Sequence, residues 1–440
     1  MKNLLLSSCA ALVLTSNLSA DEITDLKAQL KALTERLESI ETSTKKQAEQ
    51  TNALTSELIN VQNATSFSTV DMTKTEAGLG AAASKIYYSK TPLSIGGYGE
   101  MFYSHQTHAN TDQTEVYRFV PYIGYKFSDN IILNSEIEFE HGGQEVSVEQ
   151  LYLDFLLDPT FNVRLGHQVV PMGLINLNHE PVLFNTVARP DVEKYLIPST
   201  WHETGLTVYG KTENFNYAAG AIVALDMSLA NHDGAPEADS FGKNWIRDAR
   251  RGGNESNSET SNLGIVARFD YTGINGLLVG TSLYTGKAGA STNGEGEGRM
   301  TIADIHAQYQ YEGFKIKGLY TQSHLSNAAA YLGDHQGVIA TEHPESARGG
   351  YINMEYNVLP FFAQASTRLP IFFQYENYNL ATSLTDGTSF GNTESFTYGL
   401  NYFPHEQVVL KGEYTLRHNK NGVNTNENEG VYSFGLGFIF

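Results

Sequence analysis

Apolar and polar residues alternate along most of the chain after residue 93. In NSEIEFEH (134–141), Glu136, Glu138 and Glu140 occupy every second position, and Ile137 and Phe139 lie between them. A period of two is the side-chain period of an extended strand, so the carboxylates share one face and the apolar groups the other. Such alternation recurs in about sixteen segments, which predicts an all-β body over residues 93–440.

The connections between these segments alternate in length. Short ones such as SDN (128–130), LDPT (157–160) and YEGF (311–314) carry the Gly, Pro, Asp and Asn of tight turns. Long loops are predicted at 104–114, 171–200, 226–260, 287–299, 324–347, 379–392 and 419–428. Short turns at one rim and long loops at the other are typical of outer-membrane β-barrels.

Strand length and the cost of exposing charge to lipid favour a membrane barrel over a soluble sandwich. The segments run for about 9–12 residues, as a tilted membrane strand requires, whereas strands of ordinary sheets have about 5–6. A basic residue facing lipid at mid-bilayer costs about 2–4 kcal/mol, and Glu somewhat less. The carboxylates of 134–141 are therefore expected to face a watery lumen, with Leu133, Ile137 and Phe139 outward.

The last strand carries the sharpest local pattern. One of its faces is largely aromatic, and it consists of Tyr432, Phe434, Leu436, Phe438 and Phe440, while Gly435 and Gly437 lie on the other. An aromatic last residue on an alternating strand resembles the signal that the outer-membrane barrel insertion machinery recognises. The alternative is a buried C-terminal edge strand.

Before the barrel, the apolar period changes from two to three and four. The a and d sites of a heptad repeat hold Ile23, Leu26, Leu30, Leu33, Leu37 and Ile40, and the spacing resumes at Leu54, Leu58 and Val61. A lone helix would expose this narrow seam of apolar side chains to water. Residues 21–63 are therefore predicted to form a coiled coil with copies of the chain. An amphipathic helix lying on another surface is the alternative. Residues 64–92, rich in Ala, Gly, Ser and Thr, are interpreted as a linker.

The first 20 residues have the layout of a cleaved secretory signal, with a lysine, an apolar run and small residues before Asp21. A lipoprotein cleavage box ending at Cys9 is the alternative, although the apolar run continues through Leu14. No later stretch approaches the roughly 18 apolar residues of a membrane helix, so the exported chain is either soluble or a barrel. The formal net charge of −20 argues against a nucleic-acid partner, because phosphates would be repelled.

Four stretches resemble the phosphate-selective porin O and P family in its broad sense, namely SIGGYGEM (94–101), NSEIEFEH (134–141), VPMGLINLNHEP (170–181) and ARPDVEKYLIPSTWHETG (188–205). The resemblance covers roughly residues 90–440. It implies a 16-stranded homotrimeric barrel in the outer membrane whose third long loop, 171–200, folds inward to narrow the pore. It also implies that the heptad segment is a periplasmic coiled coil of the kind that some related porins carry.

In that family, anion selectivity comes from arginines and lysines in the lumen. The strand phases here turn a set of charged residues inward: Arg118, Glu136, Glu138, Glu140, Arg164, Arg268, Lys315, Lys317, Lys411 and Arg417. The same phases place Lys126 inward together with Glu100, Asp154, Asp270, Asp304, Glu355, Glu376 and Glu413. Positive and negative charges are nearly balanced, so the sequence does not predict a phosphate preference.

Loop 171–200 supplies the candidate pore constriction, consisting of His179, Glu180, Arg189, Asp191, Glu193 and Lys194. Folded into the barrel, these charges would create a transverse field where the pore is narrowest, which favours small polar solutes. The alternative is that Arg189 and Asp191 merely hold the loop against the wall.

A metal site is considered for Glu136, Glu138, Glu140 and His141. Same-face neighbours along one strand lie about 7 Å apart, too far to converge on one ion without help from another strand. No metal and no cofactor is therefore expected, and these carboxylates are interpreted as a solvated lumen wall.

The long loop 226–260, called the fourth loop below, contains a basic cluster, Arg247, Arg250 and Arg251, beside Asp248. It is either an anion-attracting mouth or an ordinary solvated loop in which arginines pair with nearby acids. Histidines are frequent in the chain, but none lies in a recognisable nucleophile motif, so no enzymatic activity is expected.

Together these features predict a general or weakly selective porin for passive diffusion of small hydrophilic solutes or ions across a Gram-negative outer membrane. One alternative is a structural anchor that tethers the envelope, at peptidoglycan or a partner, through the coiled coil. Another is an anion- or phosphate-selective channel. An active receptor would need about 22 strands and a plug domain, for which the chain is too short.

Overall fold

The computed structural model of the 440-residue chain describes residues 20–65, 68–229, 244–253, 262–290, 296–331, 334–335, 338–339, 343–362, 367–420 and 428–440. The chain divides into two compact units, Met1–Ser66 and Phe67–Phe440. Apart from Ala20, the predicted signal segment lies outside the described residues.

The first unit contains helix α1, Ala20–Thr65. Apolar side chains at its a and d sites are at least 45% exposed, as seen for Leu26, Leu30, Leu33, Leu37 and Ile40. The side chains of Ile23, Leu58 and Val61 lie outside the described part of the chain. No helix among the described residues is both long and apolar enough to cross a membrane.

The second unit is built from strands. Its described residues form β1 Leu93–Gln106, β2 Thr111–Ser128, β3 Ile131–Glu140, β4 Glu145–Asp158, β5 Phe161–Val169, β6 His202–Lys211, β7 Phe215–Val223, β8 Leu263–Tyr271, β9 Leu277–Lys287, β10 Arg299–Tyr311, β11 Phe314–Ser326, β12 Asp334–His335, β13 Val338–Ile339, β14 Pro344–Asn357, β15 Pro370–Leu384, β16 Phe390–His405, β17 Val408–Lys420 and β18 Asn428–Ile439. Short helices are α2 Lys85–Tyr88, α3 Asp191–Leu196 and α4 Trp245–Asp248, and 3-10 turns lie at His141–Gly143, Met227–Leu229, Ala328–Tyr331 and Leu359–Phe361.

Sixteen of these described strands close into an antiparallel barrel, and β12 pairs only with β13. Each barrel strand pairs with its neighbours in sequence, β11 with β14, and β1 pairs with β18 from Tyr98↔Ile439 to Gln106↔Val431. Phe440 extends this seam, because it exchanges backbone hydrogen bonds with Gly97. Within the described residues, closure leaves no unpaired edge in this sixteen-stranded sheet. The predicted 16-stranded barrel is confirmed.

The two faces of the wall differ as the period of two predicts. In β8, the outward side chains of Leu263, Ile265 and Phe269 are about half exposed, at 55%, 54% and 49%, whereas Arg268 and Asp270 are buried. The apolar surface thus lies outside and the charged surface inside, the reverse of a soluble protein.

Two predicted long loops are shorter in the structure. Pairing of β1 with β2 continues to Gln106↔Thr111, so the predicted loop 104–114 shrinks to residues 107–110. The predicted loop 379–392 shrinks to 385–389, where Asp386 accepts hydrogen bonds from the backbone and hydroxyl of Thr388. Backbone pairing does not depend on an apolar face, so these hairpins continue past the point where apolar alternation ends.

The predicted linker, residues 64–92, is also different in the structure. Its part from residue 79 to residue 86 is buried and packs on the inner face of the barrel. The Asn134 side chain, for example, donates to the carbonyl of Ala83, and a Cβ on Gly80 would lie 2.4 Å from the Glu180 carboxylate. The small residues that suggested flexibility instead permit close packing. We call residues 68–92 the N-terminal segment.

Candidate functional site

Loop three, defined here as residues 170–201 between β5 and β6, lies inside the barrel. Its polar contacts reach strands on distant parts of the wall. The Gly173 N–H faces Asp304 of β10, the Asn185 side chain donates to Asn353 of β14, and Lys411 of β17 donates to the Phe184 carbonyl. The loop therefore crosses the lumen.

Glu193 and Asp191 fix loop three in place. Glu193 is fully buried and accepts hydrogen bonds from the backbone N–H groups of Leu174 and Ile175, at 2.9 and 2.7 Å, and from the Tyr351 hydroxyl. Asp191 lies 2.5 Å from the Arg417 guanidinium. Both carboxylates bind groups that stabilise the loop, so neither is presented to a passing solute.

His179 and Glu180 connect loop three to other parts of the interior. Nε2 of His179 lies 3.1 Å from Oε1 of Glu136 in β3. The Glu180 carboxylate accepts hydrogen bonds from the backbone N–H groups of Ala82 and Ala83, both at 3.0 Å, and so holds the N-terminal segment. Burial raises the pKa of Glu180 to about 7, in spite of these two hydrogen bonds.

Arg189 and Lys194 differ from these three acids and the histidine. Both line a cavity of about 410 Å³ near the long-loop rim. Of the six residues predicted at the constriction, the structure thus places four in contacts that anchor the loop, and two beside open space. A pore-lining role for the six residues stays a prediction, which the open space beside Arg189 and Lys194 suits best.

Arg118 is the most enclosed cation of the inner wall, at 2% exposure. Its guanidinium lies within 3.4 Å of three carboxylates, those of Glu100, Glu138 and Glu140. It also lies over the Tyr117 ring, 4.1 Å from the centroid. Glu136 and Glu138, interpreted from the sequence as a solvated wall, are 0% and 4% exposed because loop three covers them.

Other inward cations are likewise paired. Arg164 binds Asp154 at 2.8 Å, and Tyr87 of the N-terminal segment donates to the same carboxylate. Arg268 lies 2.8 Å from Asp270 and also donates to the Gly173 carbonyl of loop three. These contacts hold the loop and the N-terminal segment against the wall.

Two inward lysines, Lys411 and Lys317, also lie against backbone carbonyls of loop three. Lys411 donates to the Phe184 and Thr186 carbonyls at 2.9 and 2.8 Å, and Lys317 is buried 3.5 Å from the Leu183 carbonyl. Lys315 is half-buried. Strand phase therefore placed these residues on the inner face, but it gave no information on their partners in loop three.

The cavity near the long-loop rim is lined by both basic and acidic side chains. Its basic lining comes from Arg189, Lys194, Arg247 and Arg417, and its acidic lining from Glu100, Glu115 and Glu413. A second cavity, of about 450 Å³, lies near the short-turn rim, where Glu76 of the N-terminal segment, Lys211 and Asp270 are among its lining residues. Loop three borders both cavities, so it lies between the two rims.

The basic cluster of the fourth loop divides between its two predicted roles. Arg247 lines the cavity near the long-loop rim and donates to the Ser199 carbonyl, whereas Arg251 pairs with Asp226 at 3.0 Å. Arg250 donates to the Thr200 carbonyl at 2.9 Å. Burial and the neighbouring Arg247 lower the pKa of Arg250 to about 9.

No protein-family model matches the chain. A protein of Aquifex aeolicus (strain VF5), described as uncharacterized, is 32% identical over 357 residues, which cover 78% of this chain and 79% of that protein. The chain belongs to the family of that protein. Membership of the phosphate-selective porin O and P family stays a prediction.

Solved structures share the fold at low sequence identity. An anion-selective porin from Comamonas acidovorans matches with a TM-score of 0.52 and 13% identity over 79% of this chain and 99% of its own. The outer-membrane channel DcaP of Acinetobacter baumannii matches with a TM-score of 0.52 and 8% identity, over 79% and 97% of the two chains. OmpF of Salmonella typhi gives 0.50 and 10%, over 79% and 97%. The chain thus has the barrel fold of outer-membrane porins.

Proposed function

We propose that the chain is an outer-membrane porin through which small hydrophilic solutes or ions diffuse passively. The observation that carries the proposal is the inverted wall, apolar outside and charged inside, around a lumen with a cavity near each rim. An apolar outer surface of this extent suits lipid, and a charged interior suits water. The fold of the solved porins supports the same function.

Loop three is the proposed constriction. Arg189 and Lys194 line the cavity near the long-loop rim together with Glu100 and Glu413. Opposed charges at a narrow point orient dipolar solutes and disfavour apolar ones. The remaining inward charges hold the loop at this position.

We further propose the following organisation of the chain: a signal peptide at 1–20, a periplasmic coiled coil at 21–63 and an outer-membrane barrel from residue 93. The exposed leucine seam of α1 supports assembly with two further copies, as a homotrimer. Tyr432 and Phe434 on the outer face of β18 are 48% and 58% exposed, and Phe440 directly after the strand is 37% exposed, which suits recognition by the insertion machinery.

Anion selectivity is a second candidate, favoured by the four basic side chains that line the cavity near the long-loop rim. The structural anchor is favoured by the exposed seam of α1, which a cell-wall or protein partner would cover instead of copies of the chain.

Conductance in planar bilayers tests the proposal. The full chain is expected to give stable, ohmic steps, and a salt gradient gives its ion preference through the reversal potential. Arg189→Ala should shift that potential toward cation preference, while Arg299→Ala, which removes an exposed arginine at the end of β10, should not. A fully inserted but silent protein would contradict the porin function.

Deletion of residues 21–63 separates the porin from the anchor. A porin keeps its conductance without this segment, whereas an anchor loses its attachment to the envelope. Loss of envelope integrity with a barrel that never conducts would support the anchor.

A further inference from the structure

Three side chains from three different elements meet in the interior beneath loop three. They are Glu136 of β3, Glu149 of β4 and His179 of loop three, and one ligand atom from each lies within 4.8 Å of the other two. All three are at most 3% exposed. Carboxylate oxygen and imidazole nitrogen are the usual ligands of divalent transition metals.

A β-bulge brings Glu149 into this group. In the pairing of β3 with β4, Glu136 lies opposite Gln150 and Ile137 opposite Val148, so Glu149 is the extra, unpaired residue. Regular alternation would point Glu149 and Gln150 to opposite faces, yet both are 1% exposed and turned inward. Bulges of this type re-aim a side chain, often at a functional site.

The contacts of His179 fix the nitrogen that would bind a metal. Its Nδ1 lies 2.8 Å from the Asn176 carbonyl, to which it donates, and this leaves Nε2 facing Glu136 at 3.1 Å. Metal-binding histidines characteristically donate their other ring N–H to a carbonyl or carboxylate, which orients the ring.

Among the residues that the structure describes, Glu149 is the carboxylate of the cluster with an oxygen that lacks a donor, because Glu136 accepts hydrogen bonds from both His179 and the Gln150 side-chain amide. Within the described residues, Oε2 of Glu149 is buried without a hydrogen-bond partner, and so is Oε1 of Gln150. Glu138 and Glu149 are both buried, at 4% and 1% exposure. A buried carboxylate oxygen without a donor requires a proton or a cation.

Arg118, Arg189 and Arg250 face the cluster, and Nε2 of His202 lies 3.8 Å from Oε1 of Glu149. Arg118 is already shared among three carboxylates, and Arg250 donates to the Thr200 carbonyl. Glu149 has the Thr200 hydroxyl as a donor at 2.6 Å on its other oxygen, Oε1. The free Oε2 is therefore the group that most needs a positive partner.

We propose that Glu136, Glu149 and His179 bind one divalent transition-metal ion, with Zn²⁺ as the probe. Ligand atoms about 2.0–2.2 Å from a tetrahedral zinc lie about 3.3–3.6 Å apart, so these three side chains, whose ligand atoms lie within 4.8 Å of one another, would close in by about 1 Å on binding. The ion would join β3, β4 and loop three, and thereby fix the loop inside the barrel. The bulge, the oriented imidazole and the unpaired carboxylate oxygen each serve this role.

The test uses the full chain folded in detergent, stripped with chelator and dialysed against Zn²⁺. One bound zinc per chain is expected, with X-ray absorption that shows one imidazole nitrogen and oxygen ligands. His179→Gln and Glu149→Gln should each weaken binding at least about tenfold. His141→Gln is the matched control, because His141 is exposed and belongs to a separate group with Glu140 and Glu145, so zinc binding at His179 should not change.

Heat-modifiable migration in gels shows that each variant has a folded barrel. A wild-type protein that retains no zinc overturns the proposal, and it assigns the cluster to proton sharing and to a His179–Glu136 ion pair. Equal binding by wild type and His179→Gln, or loss of binding in His141→Gln, also overturns it. Conductance is not a readout here, so the outcome is independent of the porin proposal.

Discussion

The contact between Glu180 and the N-terminal segment should depend on pH. Glu180 is 1% exposed, and its carboxylate accepts the N–H groups of Ala82 and Ala83. Burial raises its pKa from the usual 4.5 to about 7, with a smaller contribution from Glu136 and an opposing one from His179. The closed arrangement therefore favours the protonated carboxyl.

The direction and size of the pH effect follow from the difference between the pKa of Glu180 in the closed arrangement and that of a solvated carboxyl. Because the closed-state pKa lies above that of the solvated group, the contact is most stable below pH 4.5 and weakens as the pH rises through about 7. The full difference corresponds to about 3 kcal/mol. Opening of the N-terminal segment should therefore become roughly 100-fold more frequent between about pH 5 and about pH 8.5.

Hydrogen exchange read by mass spectrometry measures this opening directly. The peptide 79–88 should lose protection at high pH after correction for the intrinsic exchange rate. Glu180→Gln carries no titratable group at this site and should flatten the pH dependence. Glu193→Gln is the matched control, because Glu193 is also buried and accepts backbone N–H groups, but only those of loop three.

Protection of peptide 79–88 that is unchanged between the two pH values would refute the reasoning. So would a Glu180→Gln variant with the same pH dependence as the wild type. In bilayers, opening of the N-terminal segment should enlarge the passage near the short-turn rim, and conductance should rise over the same pH range.

Three further predictions concern stability and assembly. Arg118→Met should destabilise the barrel by about 3–5 kcal/mol, since three carboxylates would lose their common cation, and urea unfolding in detergent followed by gel mobility measures this; a loss under about 1 kcal/mol would contradict it. Phe440→Ala should lower the yield of inserted barrel in vivo, because it removes the terminal aromatic ring that stacks on Phe119; normal insertion would show that the ring is dispensable. Leu33→Lys should abolish self-association of an isolated peptide of residues 21–63, measured by sedimentation, whereas the exposed Lys31→Ala should leave it intact.

The number of strands and the direction of their faces could be predicted because both are local properties. Glu136, Phe139 and Arg268 lie on the faces that a period of two assigns to them. The ends of strands in hairpins with polar tips, such as β1–β2, were harder to predict, because backbone pairing continues past the point where apolar residues stop alternating.

The partners of the inward charges could not be predicted. The backbone of Ala82 meets Glu180, 98 positions away in the sequence, and Lys411 meets Phe184, 227 positions away. Such pairs exist only after the barrel closes and loop three enters it. The small residues of the N-terminal segment predicted a linker, but small residues allow close packing as well as flexibility. Which of the two occurs depends on whether the folded barrel offers a surface to pack on.

The bulge at Glu149 is a feature that the alternation of apolar and polar residues does not predict. One unpaired residue reverses the face of everything that follows it in β4, and the only sequence sign is a local break in alternation. The amino-acid pattern alone sets an inverted, sixteen-stranded wall, since which side of a strand meets lipid or water is decided residue by residue. Which charges are paired, which line the passage and which converge on one point depend on ring closure, because only the folded barrel brings distant strands and loop three within hydrogen-bonding distance.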